Sequence, residues 1–103
     1  MRMSSKALQV LRYVLDGGGQ EFSGAELTRA LGVGSGTLYP LLARFEMNSW
    51  MESRWEDQEP SAVGRPRRRL YRLTALGERR AYEEFALITG SPTPLKVALG
   101  FAR

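Results

Sequence analysis

The chain has 103 residues, of which 43% are hydrophobic, and it carries a net charge of +4 with neither cysteine nor histidine. This length is typical of one domain with a thin hydrophobic core, which a second subunit can complete. Without cysteine or histidine the chain has no disulfide, no thiol nucleophile and none of the commonest general bases and metal ligands, so we expect neither an enzyme nor a cofactor. No apolar run approaches the roughly 20 residues that cross a bilayer, and the first residues lack the apolar core of a secretory signal. We therefore expect a cytoplasmic protein with no membrane partner.

The first predicted element is a helix that is capped by Ser4 or Ser5 and ends near Leu15. Its apolar residues recur at spacings of three and four, which places them on one face and indicates core packing. Three glycines at 17–19 end this helix. They lack the lysine and hydroxyl residue of a phosphate-binding loop, so we interpret them as a turn.

Two short helices joined by a glycine-containing turn are predicted next. Ser23 and Glu26 have the spacing of a capping box, and the helix that they open ends at Leu31. The following helix is predicted to be capped by Ser35. Its apolar face consists of Leu38, Leu41, Leu42 and Phe45. Such a pair is a helix-turn-helix pattern, whose second helix would be the recognition helix, although similar pairs also occur in proteins that do not bind DNA.

A β-hairpin with a long basic loop is predicted after these helices, with strands over 50–55 and 67–73. Five arginines lie in its second half, with no acidic residue among them: Arg65, Arg67, Arg68, Arg69 and Arg72. Such a cluster suits a polyanion, and the alternative is a solvated loop with an arginine bias. The order of three helices, strand, basic loop and strand predicts a winged helix, a mainly α fold with a small β-hairpin (α+β).

The last predicted helix is capped by Thr74 and runs from Ala75 to about Thr89. Its apolar face is wider than packing on its own domain requires, so we expect it to form a homodimer, with packing on its own domain as the alternative. The predicted dimer contacts are Leu76, Ala81, Tyr82, Phe85 and Ile88.

Two segments of the sequence resemble one known family. They read SGAELTRALGVGSGTLYPLLARFEMNSWMESRWE and GRPRRRLYRLTALGERR, and they cover most of residues 23–80. Both are similar to the PadR family of bacterial transcriptional regulators. The resemblance implies a winged helix-turn-helix with a C-terminal dimerisation helix, which binds palindromic operator DNA, usually as a repressor. The single helix after the wing is similar to the short subfamily.

This resemblance divides the chain into a DNA-binding domain over residues 1–74 and a dimerisation helix with a tail over residues 75–103. The chain departs from the family pattern in two places. Ser49 stands where the family usually has glycine, and a left-handed conformation is harder for serine, so we expect a different geometry there. The last helix lacks the tryptophan that lines a drug-binding chamber in the best-known short members. The sequence therefore does not support the binding of a small-molecule effector.

The start of the third helix is the predicted DNA-facing surface. Unpaired backbone amides at a helix N-terminus attract phosphate, and small residues there let a duplex approach closely. Pro40 cannot donate to the carbonyl one turn back, which loosens the first turn. The predicted DNA contacts are Ser35, Gly36, Thr37 and Tyr39. The alternative is that the glycine and the proline only set packing angles and that Tyr39 is half-buried.

The third helix carries a single cation, Arg44, so the wing must supply most of the positive charge. The predicted contacts to DNA there are Arg65, Arg67, Arg68 and Arg69. Arg72 is expected on the strand beside a neighbouring side chain. Trp50 and Trp55 are expected in the core or in strand pairing.

Two other functions compete with DNA binding. A winged-helix module that binds another protein is favoured by the near absence of cations from the recognition helix. An enzyme would need paired carboxylates on rigid elements, but Glu83 and Glu84 are neighbours on a helix and point apart. The other acidic group, Glu56, Asp57 and Glu59, lies in the loop.

Overall fold

The computed structural model describes residues 3–59, 62 and 64–89, and within these it has four helices and one antiparallel sheet of three short strands. The elements in chain order are α1 (Ser5–Asp16), β1 (Phe22–Ser23), α2 (Gly24–Leu31), α3 (Ser35–Met47), β2 (Met51–Trp55), β3 (Arg69–Leu73) and α4 (Ala75–Thr89). The α+β winged-helix class is as predicted. The predicted tail, 91–103, lies outside the described residues.

The first two helices begin where the sequence places them. The Ser4 hydroxyl accepts a hydrogen bond from the Ala7 amide at 3.1 Å, and the Ser23 hydroxyl accepts one from the Glu26 amide at 3.1 Å. Each bond satisfies an amide that has no partner inside its helix, and this is why serine is common at the N-cap position. The predicted caps of both helices are confirmed.

The predicted cap of the third helix is wrong by one residue. Gly34, not Ser35, is the N-cap of α3, and no side chain bonds to the amides of its first turn. The Gly34 carbonyl accepts from the amides of Thr37 and Leu38. A glycine has no side-chain oxygen that could bind the remaining amides, so this helix end is open to an external acceptor.

The sheet contains a strand that the sequence did not predict. Strand β1 pairs with β3, so that Phe22 lies opposite Tyr71, and their rings stack at 6.0 Å between centroids. The wing strands are also shorter than predicted, since β2 begins at Met51 and β3 at Arg69. Two-residue strands have no periodicity of their own and form only through their partner, which explains the omission.

One hydrophobic core holds the helices and the sheet together. Its largest fully buried side chains are Phe45, Leu11, Leu27, Leu38, Leu42, Met51 and Val10. Trp50 is buried and stacks on Phe45, as expected of a core residue, whereas Trp55 is exposed. None of the helices in the described residues is long and apolar enough to cross a membrane.

The junction between α3, the wing and α4 is held by the Thr74 side chain and by close approach of the backbone. Ser49 adopts φ 65°, the left-handed conformation, and its carbonyl accepts a hydrogen bond from the Thr74 hydroxyl at 2.6 Å. The same hydroxyl accepts from the Gly77 amide at 2.9 Å, so Thr74 caps α4 as predicted. A Cβ at Gly77 would lie 1.9 Å from the Trp50 carbonyl oxygen, so only glycine fits. This junction fixes the base of the wing relative to α3.

Candidate nucleic-acid interface

The first turn of α3 is exposed. Ser35, Gly36 and Thr37 all face solvent, while Leu38 points into the core. A Cβ built on Gly36 meets no atom within 4 Å, so no contact inside the described chain requires glycine there. The absence of a side chain instead leaves room for a partner to approach the amides of this turn. The helix continues through Pro40 to Met47.

Tyr39 lies across the start of α2. Its side chain is 45% exposed. A Cβ built on Gly24 would come within 2.5 Å of the Tyr39 hydroxyl, so the phenol occupies space that only a glycine leaves free. The prediction did not include Gly24, although a glycine directly after a capping serine is an unusual start for a helix. Gly24 therefore belongs to the site as the residue that positions Tyr39.

A cleft of about 410 Å³ separates the start of α2 from the wing. It brings together residues that are far apart in the sequence: Ser23, Gly24, Ala25, Tyr39, Trp55, Arg65, Pro66, Arg67, Arg68 and Arg69. The structure thus places Tyr39 and all four predicted wing arginines around one space. Arg44 lies farther along α3, where it is exposed.

The wing arginines are not free of acidic partners, which corrects the sequence-based description of the cluster. Arg65 forms an ion pair with Glu56, and the second oxygen of this carboxylate lies 3.4 Å from Arg65 Nη2. Glu56 also accepts from the backbone amide of Arg68 at 2.9 Å. The Arg65 guanidinium, and then this amide, lower the pKa of the Glu56 carboxyl from its ordinary value of 4.5. Glu56 therefore anchors the loop of the wing.

Arg67 and Arg68 are the wing arginines held least tightly. Arg67 pairs with Glu59 at 2.7 Å, and both side chains are well exposed. The Arg68 guanidinium makes no ion pair with any residue that the structure describes.

Arg69 joins the wing to α3. Its Nε donates to the Ser53 hydroxyl at 3.0 Å, and that hydroxyl donates to the Glu46 carboxylate at 2.6 Å. Arg69 Nη2 also lies 3.8 Å from Glu46, and its guanidinium stacks over the Trp55 ring at 5.1 Å. Each group engages a neighbour from another element, so we name Glu46, Ser53, Trp55 and Arg69 the wing clamp. Sequence reasoning missed Glu46 and Ser53 because their partner is remote in the chain.

The remaining strand arginines pair across the sheet. Arg72 bonds to Glu52 on β2, as expected of a strand residue. Arg54 binds both oxygens of Glu21 at 2.7 Å, and this contact lowers the pKa of that carboxyl. These pairs lie outside the residues that line the cleft.

The predicted dimer residues on α4 fall into two groups. Ala81 is fully buried in the core of its own chain, and Leu76, Tyr82 and Phe85 pack partly against that core. Ile88 is instead 60% exposed, and its neighbour Leu87 is 78% exposed. A groove of about 670 Å³ runs between α1 and α4. Its apolar lining residues are Leu8, Tyr13, Leu31, Phe85 and Ile88.

Comparison with known proteins agrees with this geometry. The model of the transcriptional regulator PadR-like family matches residues 20–83, more than half of the chain. A PadR-like transcriptional regulator from Bacillus cereus is 26% identical, with 82% of this chain and 80% of that chain covered at a TM-score of 0.61. No curated protein matches the sequence.

Two further solved structures share the fold. A PadR family transcriptional regulator from Eggerthella lenta DSM 2243 is 23% identical and covers 95% of this chain and 84% of its own, with a TM-score of 0.66. The reduced form of MarR from E. coli is 20% identical, with a TM-score of 0.65 over 84% of this chain. The chain spans only 58% of that MarR chain.

Proposed function

Because the chain belongs to the PadR-like family of transcriptional regulators, we propose that it is a repressor that binds palindromic operator DNA as a homodimer in the bacterial cytoplasm. Members of this family regulate transcription and are not enzymes. The observation that supports the proposal most strongly is the cleft in which Tyr39, the start of α2 and the wing arginines meet.

In this proposal the start of α3 approaches the DNA backbone. The amides of Ser35 and Gly36 have no side-chain cap, and amides at a helix N-terminus favour a phosphate. Thr37 and Tyr39 both belong to the exposed start of α3, and their hydroxyls can donate to phosphate oxygens or base edges. Arg44 is exposed farther along the helix and extends this surface with one cation.

The wing arginines have two different roles in the proposal. Arg67 and Arg68 contact phosphate, because the first has only an exposed partner and the second has no ion-pair partner among the described side chains. Arg65 and Arg69 act mainly through the wing itself, since Glu56 and the wing clamp hold them. The DNA contacts proposed from the sequence therefore remain, but with unequal contributions.

Dimerisation is proposed through the exposed end of α4. Leu87 and Ile88 present large apolar side chains to solvent beside the groove that Phe85 and Leu8 line. A second copy of the chain would cover this surface and place two α3 helices on successive turns of one duplex. In this arrangement Tyr82 and Phe85 support the interface, and Ala81 supports α4 from the core.

The proposal is tested by replacing Arg67 and Arg68 together with alanine and measuring binding to duplex DNA over a range of salt concentrations by fluorescence anisotropy. Each phosphate contact contributes about 0.9 to the slope of log K against log salt, so the loss of two contacts should lower the slope by up to about 1.8 per protomer. The matched control replaces Arg54 and Arg72, which lie outside the cleft, with alanine. An equal fall in both double variants would contradict the proposed wing contacts.

The same anisotropy measurement distinguishes DNA binding from the alternative function, a winged-helix module that binds another protein. The recognition helix has one cation, Arg44, which is the observation in its favour. A module of that kind would not bind duplex DNA of any sequence, even at low salt.

A further inference from the structure

We propose that Glu59 is a built-in competitor of DNA phosphate for the Arg67 guanidinium and that it lowers the affinity of the wing for DNA of any sequence. The inference rests on the proposed DNA-binding function. A carboxylate and a phosphate each present a pair of oxygens that match the donors of a guanidinium. Glu59 occupies the Nη2 donor of Arg67, so a phosphate that binds through this donor has to displace Glu59.

The geometry of this pair suits exchange. Arg67 Nη2 lies 2.7 Å from Glu59 Oε1, with the arginine side chain 40% exposed and the glutamate side chain 69% exposed. An ion pair with this much exposure to solvent contributes little free energy, so a phosphate can replace the carboxylate with a small loss. Arg67 also lines the cleft beside Tyr39, so its guanidinium needs only to change partners.

The neighbouring pair does not exchange in this way. The Glu56 side chain is only 13% exposed, and it binds the Arg65 guanidinium and the Arg68 backbone amide at once. Releasing it would open the loop of the wing. The two carboxylates therefore have different roles, in which Glu56 holds the wing together and Glu59 covers one of its cations.

Exchange also has a consequence for salt dependence. When Arg67 contacts phosphate, the released Glu59 carboxylate stands near the DNA and takes up a cation from solution. This uptake offsets part of the counterion release that drives binding. Replacing Glu59 with glutamine should tighten binding to random-sequence duplex by about two- to five-fold, the range expected of an exposed pair, and should steepen the salt slope.

The test measures anisotropy of a labelled random-sequence duplex with the full chain and three single variants. Glu59→Gln removes the competitor. Asp57→Asn makes the same charge change in the same loop, where the carboxylate lies 3.6 Å from Arg54. Glu83→Gln makes it on α4, where the glutamate pairs with Arg80. Glu59→Gln is also measured in an Arg67→Gln background, and thermal melts confirm that each variant is folded.

The inference requires that Glu59→Gln tighten binding more than either control and that its effect disappear when Arg67 is glutamine. Equal tightening by all three variants would overturn it, because the effect would then be one of net charge alone. Tightening that persists without Arg67 would overturn it as well. If the wild-type chain and every variant fail to bind duplex at low salt, the proposed function itself is wrong. Binding by the wild type with no change in Glu59→Gln contradicts only the role of Glu59.

Discussion

Gly24 leaves room for the side chain of Tyr39, one of the two exposed aromatic residues that line the cleft. The Tyr39 phenol fills the space that a side chain at position 24 would need, since a Cβ built there would lie 2.5 Å from the Tyr39 hydroxyl. The end of a tyrosine side chain can move, unlike the backbone that surrounds Gly77. A substitution at Gly24 should therefore displace the hydroxyl without disrupting the fold.

We predict that Gly24→Ala weakens DNA binding roughly tenfold, the value of one hydrogen bond to a charged acceptor. Stability should stay the same or rise, because alanine in place of a helical glycine favours the folded state by about 0.4–1 kcal/mol. Anisotropy and thermal melts measure the two effects. Tyr39→Phe should cause a similar loss of affinity, and the double variant should lose no more than Tyr39→Phe. Additive losses would show that Gly24 does not act through Tyr39.

Residues whose partners are close in sequence could be predicted, and those with remote partners could not. The caps at Ser23 and Thr74 depend on an amide three residues away, so a short pattern reveals them. The pairing of Arg69 with Glu46 depends on how the wing folds back on α3, which no local pattern contains. This is why the sequence indicated an arginine cluster without acidic neighbours, whereas the structure pairs Arg65, Arg67 and Arg69 with glutamates.

Among the elements, the wing depends most on a single carboxylate. Glu56 joins the two sides of the loop, since its own amide donates to the Arg68 carbonyl while its side chain binds Arg65 and the Arg68 amide. The wing clamp then fixes the hairpin against α3 through Ser53 and Glu46. Glu56 therefore shapes the basic surface without needing to touch DNA.

We predict that Glu56→Gln lowers the melting temperature at pH 7 and that the difference from wild type narrows in acid. The pKa of Glu56 is lowered in the folded chain, so its contribution to stability is complete above the ordinary value of 4.5 and is lost as pH falls through the lowered value. Arg54 also lowers the pKa of Glu21, so the stability of the wild type and of the Glu56→Gln variant falls in acid by a similar further amount.

Thermal melts from pH 7 to pH 3 test this expectation. Asp57→Asn serves as the control, because Asp57 is almost fully exposed in the same loop. A difference between Glu56→Gln and wild type that stays constant or widens in acid would show that the carboxylate charge does not stabilise the wing.

Long elements with a regular apolar pattern were predictable, whereas short ones were not. The apolar spacing of α1, α3 and α4 located each helix, and the glycine run ended α1. Strand β1 has two residues and exists because Tyr71 and Leu70 of β3 pair with it. Strand β3 was predicted to begin too early because the register with β2 ends at the pair of Trp55 and Arg69, which leaves Arg67 and Arg68 without a partner in β2.

The whole molecule carries two separate surfaces on which the proposed function depends, the cleft beside the wing and the groove beside α4. The cleft between α2 and the wing is lined by four arginines. The groove between α1 and α4 has an apolar part that includes Phe85 and the exposed Ile88, beside the polar side chains of Gln9, Arg12 and Asp16. One surface suits a polyanion and the other suits a second copy of the chain. A two-fold dimer would present two clefts to one duplex, which requires a palindromic site.

In the proposed function, two copies of this chain bind one palindromic site through α3 and the wing. The most direct measurement is selection of bound duplexes from a random library, followed by a hydroxyl-radical footprint on the enriched sequence. The variant Leu87→Ser with Ile88→Ser, at the proposed dimer surface, serves as the comparison. We expect an inverted repeat with half-sites about 10 base pairs apart and two symmetric protected regions, with both regions less protected in the variant. Failure to enrich any sequence, or enrichment of a single unrepeated half-site that the variant binds equally well, would contradict it.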